Sequence, residues 1–477
     1  MIPLTLGEVA TLTAGNMHGA DVLIDGPVVT DSREAAAGSL YVARVGEYAD
    51  GHDFAPAAAT AGAVATLGLR PIDGMPTVVV PDVQLAFGLL ARGVLDRCRG
   101  LTVVGITGSS GKTSTKDMLG QLLQLVGETV APIGSLNSEV GVPLTVCRIT
   151  PSSQFLVAEM GASGVGHIAY LTGIAPPRIG IVLNVGMAHV GEFGSVGAIA
   201  KAKSELVRAL PADGLAILNA DDPVVSAMDA VTAARVIRVG AAADADVRAT
   251  DVRLDRHGRA SFTVARAGRP DLEIQLGLHG AHQVGNALAV VACAGELGVP
   301  DETIVGGLAA ATPISRWRME VHALPGGVTM INDAYNANPE SMAAALRALA
   351  QIGTGRRTVA VLGEMRELGE QSAAAHHGVG RMAAGLGIDR LVAVGPGAVD
   401  ITAGAGSGVD GHRVREIDTV DDLDAAYQLL RDSIRDGDVV LFKSSRDSGL
   451  RYLGDRIARD SGAEISTPAA AAKDSTG

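Results

Sequence analysis

The chain has 477 residues with a formal net charge of −13, and 47% of the residues are hydrophobic while only 3% are aromatic. A chain of this length exceeds one ordinary hydrophobic core, so two to four domains are expected. The acidic total and the few aromatic side chains argue against a general binder of nucleic acid or of anionic membranes.

The N-terminus and the cysteines favour a cytoplasmic protein. Residues 1–15 lack a basic segment followed by an apolar core, and no apolar run has the length of a bilayer span. Cys98, Cys147 and Cys293 lie far apart without a Cys-x-x-Cys spacing, which indicates buried thiols in a reducing compartment. We therefore expect no signal peptide and no membrane insertion.

Residues 1–100 alternate short apolar runs with turns. The runs 38–43 and 77–80 have the composition of strands, and the alanine-rich stretch 55–65 predicts a helix. This pattern predicts a small α/β domain at the N-terminus.

A different pattern occupies residues 101–313, where near-continuous apolar runs alternate with helices: 101–106, 155–158, 179–183 and 215–218. Strands of this kind form a parallel sheet that is covered on both faces. Ligands of such sheets bind at the carboxyl ends of the strands. The charged, alternating run 260–264 predicts an antiparallel patch in the same central domain.

Residues 314–464 return to strand–helix alternation, with apolar runs at 328–331, 358–362, 391–394 and 439–442. We predict a C-terminal Rossmann-like α/β domain here. The tail 465–477, rich in Ala, Ser, Thr and Lys, is expected to be disordered. The predicted fold class is therefore α/β with three domains, the central one a phosphate-loop ATPase domain with a parallel sheet.

The central domain carries a phosphate-binding loop between its first strand and first helix. A polyphosphate would be wrapped by backbone N–H groups of this loop, Lys112 would reach its terminal phosphates, and the Thr113 hydroxyl would bind Mg²⁺. The longer motif GxxxxGK[ST] would need Gly where the chain has Ile106, so the match is to a shorter core. A chance glycine turn is the alternative, and the strand–loop–helix context argues against it. The candidate nucleotide-binding residues of the loop are Gly108, Ser109, Ser110, Gly111, Lys112, Thr113 and Ser114.

Three polar residues follow downstream at strand ends or on a helix. Glu159 ends an apolar strand and offers a hard oxygen ligand for Mg²⁺, and His189 and Lys203 follow it in the chain. Each also has an ordinary interpretation, as a capping acid, a loop histidine and a solvated helix lysine. Their joint position after a phosphate loop favours a catalytic cluster.

These motifs resemble the Mur ligases and their folylpolyglutamate synthase relatives. The match consists of Gly-x-x-Gly-Lys-Thr, Ala-Glu-Met-Gly, Asn-x-x-x-x-His followed by Phe-Gly-Ser, and Ile-Ala-x-x-Lys, in that order. The resemblance implies an ATP-dependent ligase that forms an amide through an acyl phosphate, with two Mg²⁺ ions. It also implies that Lys203 is carbamylated and binds metal with Thr113, Glu159 and His189, while Lys112 is catalytic.

The same resemblance assigns further nucleotide contacts. It places His282 and Asn286 near the adenine, Arg316 at the phosphates and Asp333 at the ribose. These four roles follow from the resemblance alone.

Two segments, 333–341 and 362–369, resemble family members that add D-alanyl-D-alanine to a UDP-N-acetylmuramoyl-tripeptide. The implied roles are UDP-substrate binding by 1–100, ATP binding and ligation by 101–313, and closure on ATP with dipeptide binding by 314–464, in a protein expected to be a monomer. The candidate substrate-binding residues are Ser32, Arg33, Asn137, Asn336, Asn338, Ser341, Lys443 and Arg446. An ordinary Asn-Pro turn competes with any single role in 336–341. A different ligase of the family and an ATP-hydrolysing switch remain the alternative functions.

Overall fold

The computed structural model describes residues 1–188, 190–408 and 412–463. The predictions for His189 and for a disordered tail at 465–477 therefore concern residues outside the described part of the chain.

The N-terminal region builds a small mixed sheet with strand order β2-β7-β6-β5-β4, in which the β2–β7 pair is antiparallel and the other pairs are parallel. The short strands β1 and β3 pair separately. Its strands and helices are β1 (Leu4–Thr5), α1 (Leu6–Thr13), β2 (Asn16–His18), β3 (Leu23–Ile24), β4 (Val28–Val29), β5 (Ser39–Val42), α2 (Ala55–Thr60), β6 (Ala63–Gly68), β7 (Thr77–Val79) and α3 (Val83–Asp96).

The central region contains a long sheet of order β16-β15-β14-β13-β12-β11-β8-β10-β9. Strands β8 to β14 pair in parallel, whereas β14, β15 and β16 form the predicted antiparallel patch. Its elements are β8 (Thr102–Thr107), α4 (Lys112–Gln124), β9 (Thr129–Val130), α5 (Gly141–Val146), β10 (Phe155–Glu159), α6 (His167–Ile174), β11 (Ile179–Val182), α7 (Val190–Phe193), α8 (Val196–Arg208), β12 (Leu215–Asn219), α9 (Pro223–Ser226), β13 (Arg235–Gly240), β14 (Val247–Leu254), β15 (Arg259–Arg266), β16 (Arg269–His279), α10 (Gln283–Glu296) and α11 (Asp301–Ala310).

The C-terminal region forms a third sheet of order β17-β18-β22-β19-β20-β21, parallel except for the edge strand β17. Its elements are β17 (Glu320–Ala323), β18 (Thr329–Asn332), α12 (Pro339–Ile352), β19 (Thr358–Leu362), α13 (Ser372–Gly385), β20 (Arg390–Val394), α14 (Val399–Ser407), β21 (Glu416–Val420), α15 (Leu423–Ser433), β22 (Val439–Lys443) and α16 (Leu450–Asp460). Short 3-10 turns complete the chain at Ser32–Glu34, Gly51–Phe54, Ala227–Val231, Pro325–Gly327, Gly369–Gln371, Pro396–Ala398 and Arg446–Ser448.

The predicted α/β class is confirmed, and burial explains it. The inner strands β8, β11 and β22 are almost wholly buried, as expected of parallel strands with helices on both faces. One apolar cluster runs from α1 and α3 of the N-terminal region into α5 and one face of the central sheet. All three thiols are free, and Cys147 and Cys293 are buried. No helix in the described part of the chain combines the length and apolarity needed to cross a membrane.

Candidate functional site

A cavity of about 700 Å³ lies where the carboxyl ends of the central strands meet the C-terminal region. Both regions contribute many residues to its wall, most of them polar. From the central region these include Ser109, Ser110, Gly111, Lys112, Thr113, Ser114, Ser135, Asn137, Glu159, Asn184, Lys203, His282 and Asn286, and from the C-terminal region Arg318, Asp333, Tyr335, Asn336, Asn338, Ser341, Lys443 and Arg446. The central parallel sheet and the C-terminal region thus place most, but not all, of the predicted residues together.

The phosphate loop ends β8 and begins α4. Gly111 has φ of 82°, and α4 starts after it without a side-chain cap, so the N–H groups of its first turn face the cavity end of the helix. A Cβ at Gly111 would lie 2.6 Å from Asn286 Oδ1, so both its conformation and its space require glycine. The Lys112 ammonium donates to Gly108 O at 2.7 Å, which folds this side chain back over the loop.

Asn184, two residues after the end of β11, forms hydrogen bonds with the phosphate loop. Its Oδ1 accepts the Ser110 N–H at 2.8 Å, and its Nδ2 donates to Ser110 O at 3.2 Å. Ser109 Oγ accepts the N–H of Gly186 at 2.8 Å. Asn184 belongs to the sequence motif, but no role was predicted for it. Its position just after an apolar strand was the signal that could have indicated a role at the cavity.

Glu159 lies at the floor of the cavity and is only 1% exposed. One carboxylate oxygen accepts the Thr113 hydroxyl at 2.9 Å, and the other accepts from Ser135 Oγ at 2.8 Å and Asn137 Nδ2 at 2.6 Å. Asn137, predicted at the substrate, therefore orients Glu159 here. Within the described residues no group of three or more His, Cys, Asp or Glu side chains is placed to hold a metal ion. The donor set nevertheless fits Mg²⁺, because a buried carboxylate and the Thr113 hydroxyl are hard oxygen ligands beside a phosphate loop.

Lys203 projects from α8 into the same cavity and is 5% exposed. Burial lowers the pKa of its ammonium well below the ordinary value, and the charge of Lys112 lowers it further. A neutral amine is the form that reacts with CO₂ to give a carbamate. The environment of Lys203 is thus chemically suited to the modification that the resemblance implies.

Lys112 faces a second cation across the cavity. Burial lowers the pKa of Lys112, the carboxylate of Glu159 opposes this shift, and the charge of Arg318 lowers it further. Arg316, predicted at the nucleotide phosphates, does not line the cavity and instead pairs with Asp455 at 2.9 Å. Arg318, two residues later in the chain, lines the cavity instead.

The expected adenine and ribose contacts converge at the start of α10 and the end of β18. His282 and Asn286 line the cavity, and burial lowers the pKa of His282 while the charge of Asp333 opposes that shift. The Asp333 carboxylate accepts the Met319 N–H at 3.0 Å and the Lys443 ammonium at 2.6 Å. Both carboxylate oxygens of Asp333 therefore already accept hydrogen bonds from protein groups.

Other predicted substrate residues already have protein partners. The Lys443 ammonium also donates to the backbone oxygens of Asp333 and Asn336, which uses its three N–H groups inside the C-terminal region. Asn338 caps α12, with its Oδ1 accepting the Ser341 N–H at 2.8 Å and Ser341 Oγ accepting the Asn338 N–H at 3.0 Å. Asn338 and Pro339 therefore form an ordinary helix-capping turn, which was the alternative to a substrate role. The side chains of Lys443, Asn338 and Ser341 nevertheless line the cavity.

The remaining predicted residues separate into two places. Arg446 lines the cavity, with its guanidinium 5.7 Å from the centre of the Tyr335 ring. Ser32 and Arg33 lie in the N-terminal region away from the cavity wall, where Asp31 caps their 3-10 turn and pairs with Arg33. The structure therefore does not bring Ser32 and Arg33 to the phosphate loop.

Comparison with known proteins follows the same division of the chain. Residues 106–294 match the Mur ligase middle domain, and residues 317–446 match the Mur ligase glutamate ligase domain. The UDP-N-acetylmuramoyl-tripeptide–D-alanyl-D-alanine ligase of Mycobacterium tuberculosis is 44% identical over 96% of this chain and 98% of its own length.

Two solved structures superpose on most of the molecule. MurF from Acinetobacter baumannii has a TM-score of 0.84 at 32% identity and covers 96% of this chain and 99% of its own. MurF ligase from Thermotoga maritima in complex with ADP has a TM-score of 0.79 at 28% identity, with coverage of 92% and 98%. The similarity thus extends over all three sheets.

Proposed function

The chain belongs to the Mur ligase family, and from this membership we propose that it joins D-alanyl-D-alanine to a UDP-N-acetylmuramoyl-tripeptide in peptidoglycan synthesis. The reaction is an ATP-dependent ligation that forms an amide and releases ADP and phosphate. The 44% identity to the M. tuberculosis ligase across almost the whole of both chains supports this choice over other ligases of the family.

The observation that carries the proposal is the group of cations around the phosphate loop. Lys112 and Arg318 face one cavity and the charge of Arg318 lowers the pKa of Lys112, an effect that a bound polyphosphate would oppose. The uncapped N-terminus of α4 adds backbone donors at the same place. The ADP complex of the T. maritima relative supports ATP as the nucleotide.

A free carboxylic acid does not form an amide with an amine unaided, because hydroxide is a poor leaving group. ATP supplies the activation. The tripeptide carboxylate attacks the γ-phosphorus of ATP, which gives an acyl phosphate and ADP. The amine of the dipeptide then attacks the acyl carbon, the tetrahedral intermediate expels phosphate, and the amine loses a proton. Lys112 and Arg318 neutralise charge on the transferring phosphoryl group, where charge-matched donors act most strongly.

Glu159, Thr113 and Lys203 would hold two Mg²⁺ ions, with Lys203 as its carbamate and with His189 added from the family resemblance. Mg²⁺ bound there would neutralise phosphate charge. A carbamate on Lys203 would place an anion beside Lys112, so the two side chains would attract each other. The burial of Glu159 and its Ser135 and Asn137 partners keep that carboxylate oriented for the task.

We further assign the three sheets to different substrates. Residues 1–100, with Ser32 and Arg33, bind the uridine nucleotide, residues 101–313 bind ATP, and residues 314–464 close on ATP and bind the dipeptide. The position of the cavity between the central and C-terminal regions supports the last two assignments. We also propose a cytoplasmic monomer, because both ATP and UDP-linked precursors are cytoplasmic substrates.

ADP release, measured by a coupled assay, tests the function directly. With ATP, Mg²⁺ and a UDP-N-acetylmuramoyl-tripeptide present, we expect turnover to require D-alanyl-D-alanine, while D-alanine, L-lysine or L-glutamate give none. Turnover with a single amino acid would identify another ligase of the family. ATP hydrolysis that is indifferent to every added amine would instead indicate a nucleotide switch.

A further inference from the structure

The segment that joins the central and C-terminal regions is fastened to the helix of the phosphate loop. The Gln121 side chain binds both backbone groups of Thr312, with Oε1 accepting its N–H at 3.1 Å and Nε2 donating to its carbonyl at 3.0 Å. One turn earlier on α4, Asp117 Oδ2 accepts the Ser315 N–H at 3.1 Å. Ser315 Oγ in turn accepts the Gly134 N–H at 2.9 Å. Residues 312–315 therefore belong mechanically to the central region.

A buried ion pair sets the position of this fastening. Lys116 is fully buried, and its ammonium donates to Asp117 Oδ1 at 2.5 Å and to the carbonyl of Pro132. Burying two charges is costly unless their geometry and remaining hydrogen bonds are satisfied. Here the second oxygen of Asp117 is satisfied by Ser315, so the pair, α4 and the joining segment form one connected network.

Immediately after Ser315 the partners change to the C-terminal region. The Trp317 N–H donates to Glu320 Oε2 at 3.0 Å, its indole N–H reaches the Asp455 carboxylate at 3.1 Å, and the Met319 N–H donates to Asp333 at 3.0 Å. The junction between the two bodies is thus confined to Arg316. Arg318 lies only three residues after Ser315 in the chain, so the position of the joining segment influences where the C-terminal region presents Arg318 to the phosphate loop.

The backbone around Arg318 is held in an unusual conformation. Trp317 and Met319 have φ of 57° and 51°, in the left-handed region that non-glycine residues rarely adopt. These conformations aim Arg318 into the cavity, where its guanidinium lies 4.4 Å from the centre of the Tyr335 ring. Such strain persists only where surrounding contacts enforce it, and the bonds of Trp317 and Met319 to the C-terminal region supply that enforcement.

We propose that Gln121 and Asp117 are positioning residues that couple the phosphate-loop helix to Arg318. They anchor the joining segment so that Arg318 is presented to the same phosphates that α4 binds. The inference rests on the proposed function, because it takes Arg318 to act on the phosphates of ATP. Neither Gln121 nor Asp117 touches the substrates in this role.

Gln121→Ala tests the coupling, with Gln124→Ala, an exposed glutamine on the same helix, as the matched control. Gln121 is chosen because a change at Asp117 would leave Lys116 buried without its counter-charge. We expect Gln121→Ala to lower kcat about tenfold with KM for ATP within about twofold, since misplacing a charge-stabilising group affects mainly the transition state. Thermal unfolding should show both variants folded at the assay temperature, so that a lower kcat of Gln121→Ala is not a loss of folded protein.

A double-mutant cycle decides whether the effect passes through Arg318. In an Arg318→Ala background, Gln121→Ala should change kcat by less than about twofold, because the group that it positions is already gone. A full tenfold loss in that background, or Gln121→Ala kinetics equal to those of Gln124→Ala, would overturn the proposal. Failure of the function itself would show separately, as wild-type protein that gives no dipeptide-dependent ADP release.

Discussion

At the scale of single residues, three cations lie close together at the phosphate loop of a protein whose net charge is −13. Lys112, Lys203 and Arg318 all line one cavity. Glu159 is the buried carboxylate at the floor of this cavity, and it accepts a hydrogen bond from Thr113 of the phosphate loop. Burial lowers the pKa values of Lys112 and Lys203; the charge of Arg318 lowers that of Lys112 further, and the charge of Lys112 lowers that of Lys203 further. A bound polyanion would stabilise the charged forms of these groups, which suits the site to a polyphosphate even in an acidic protein.

Lys203→Ala tests the proposed carbamate. We expect near-complete loss of ligation, with partial recovery by acetate or propionate, because a small carboxylate can occupy the space and replace the missing anionic oxygens. Lys201→Ala, an exposed lysine on the same helix, should keep wild-type activity and show no response to these acids. The coupled ADP assay measures both, and a lack of rescue by any short acid would count against the carbamate.

The lowered pKa of Lys203 also predicts a pH dependence. Only the neutral amine forms a carbamate, and burial makes that form available at lower pH than for an exposed lysine. As pH falls through the lowered pKa, protonation competes with CO₂, so carbamate content and activity should fall together. Carbonyl ¹³C NMR of protein equilibrated with ¹³CO₂ follows the carbamate signal, and a signal that does not change across the activity loss would separate the two.

At the scale of elements, the start of α12 serves two purposes. Asn338 caps the helix through its Oδ1, Pro339 occupies the first turn, and the Asn338 Nδ2 reaches Ser109 O of the phosphate loop at 3.4 Å. The next residue, Glu340, accepts the Met187 N–H at 2.8 Å across the same boundary. A single helix N-terminus therefore stabilises its own fold and contacts the loop that binds ATP.

Two substitutions at Asn338 separate these purposes. Asn338→Ala removes the cap and should lower the free energy of unfolding by about 1 kcal/mol. Asn338→Asp keeps a capping oxygen but loses the donor to Ser109 and adds negative charge near the phosphates, so it should keep stability and raise KM for ATP. Thermal unfolding and ATP-dependent kinetics distinguish the two, and equal stability of both variants would contradict the capping role.

At the scale of the whole molecule, the chain contains an intrinsic fluorescent reporter of the joint between the central and C-terminal regions. Trp317 is the single tryptophan, it follows the junction at Arg316, and its ring stacks on Tyr335 of the cavity wall with 6.4 Å between centroids. Arg316 lies 4.8 Å from the centre of the same ring. Any change in the joint or at Tyr335 should alter the surroundings of the indole.

Titration with ADP and Mg²⁺ should therefore give a saturable change in tryptophan fluorescence. The expected cause is nucleotide contact with Arg318, which sits over Tyr335. Lys112→Ala, which weakens nucleotide binding, should shift the titration to higher ADP concentration. An unchanged spectrum at nucleotide concentrations that calorimetry shows to be saturating would mean that the joint does not respond to the nucleotide.

Much of the fold was predictable because apolar patterning reports burial. The strands that became β8, β10, β11 and β12 were predicted from apolar runs, and the charged alternation at 260–264 correctly indicated the antiparallel patch. The roles of individual side chains were harder to predict, because a motif does not show which protein groups already bond to a side chain's polar atoms. Asn137, Lys443 and Asn338 occupy the cavity wall as expected, yet their polar atoms are largely committed to protein partners.

The sequence by itself determined the three α/β regions, the phosphate loop and the family, because short motifs and periodic apolar residues act through local backbone geometry. Only the tertiary structure decided that Arg318 rather than Arg316 faces the cavity, that Lys203 and Lys112 share one charged environment, and that Gln121 holds Thr312. These facts depend on residues far apart in the chain. Their distances, burial and mutual charge exist only once the central and C-terminal sheets are packed around the same space.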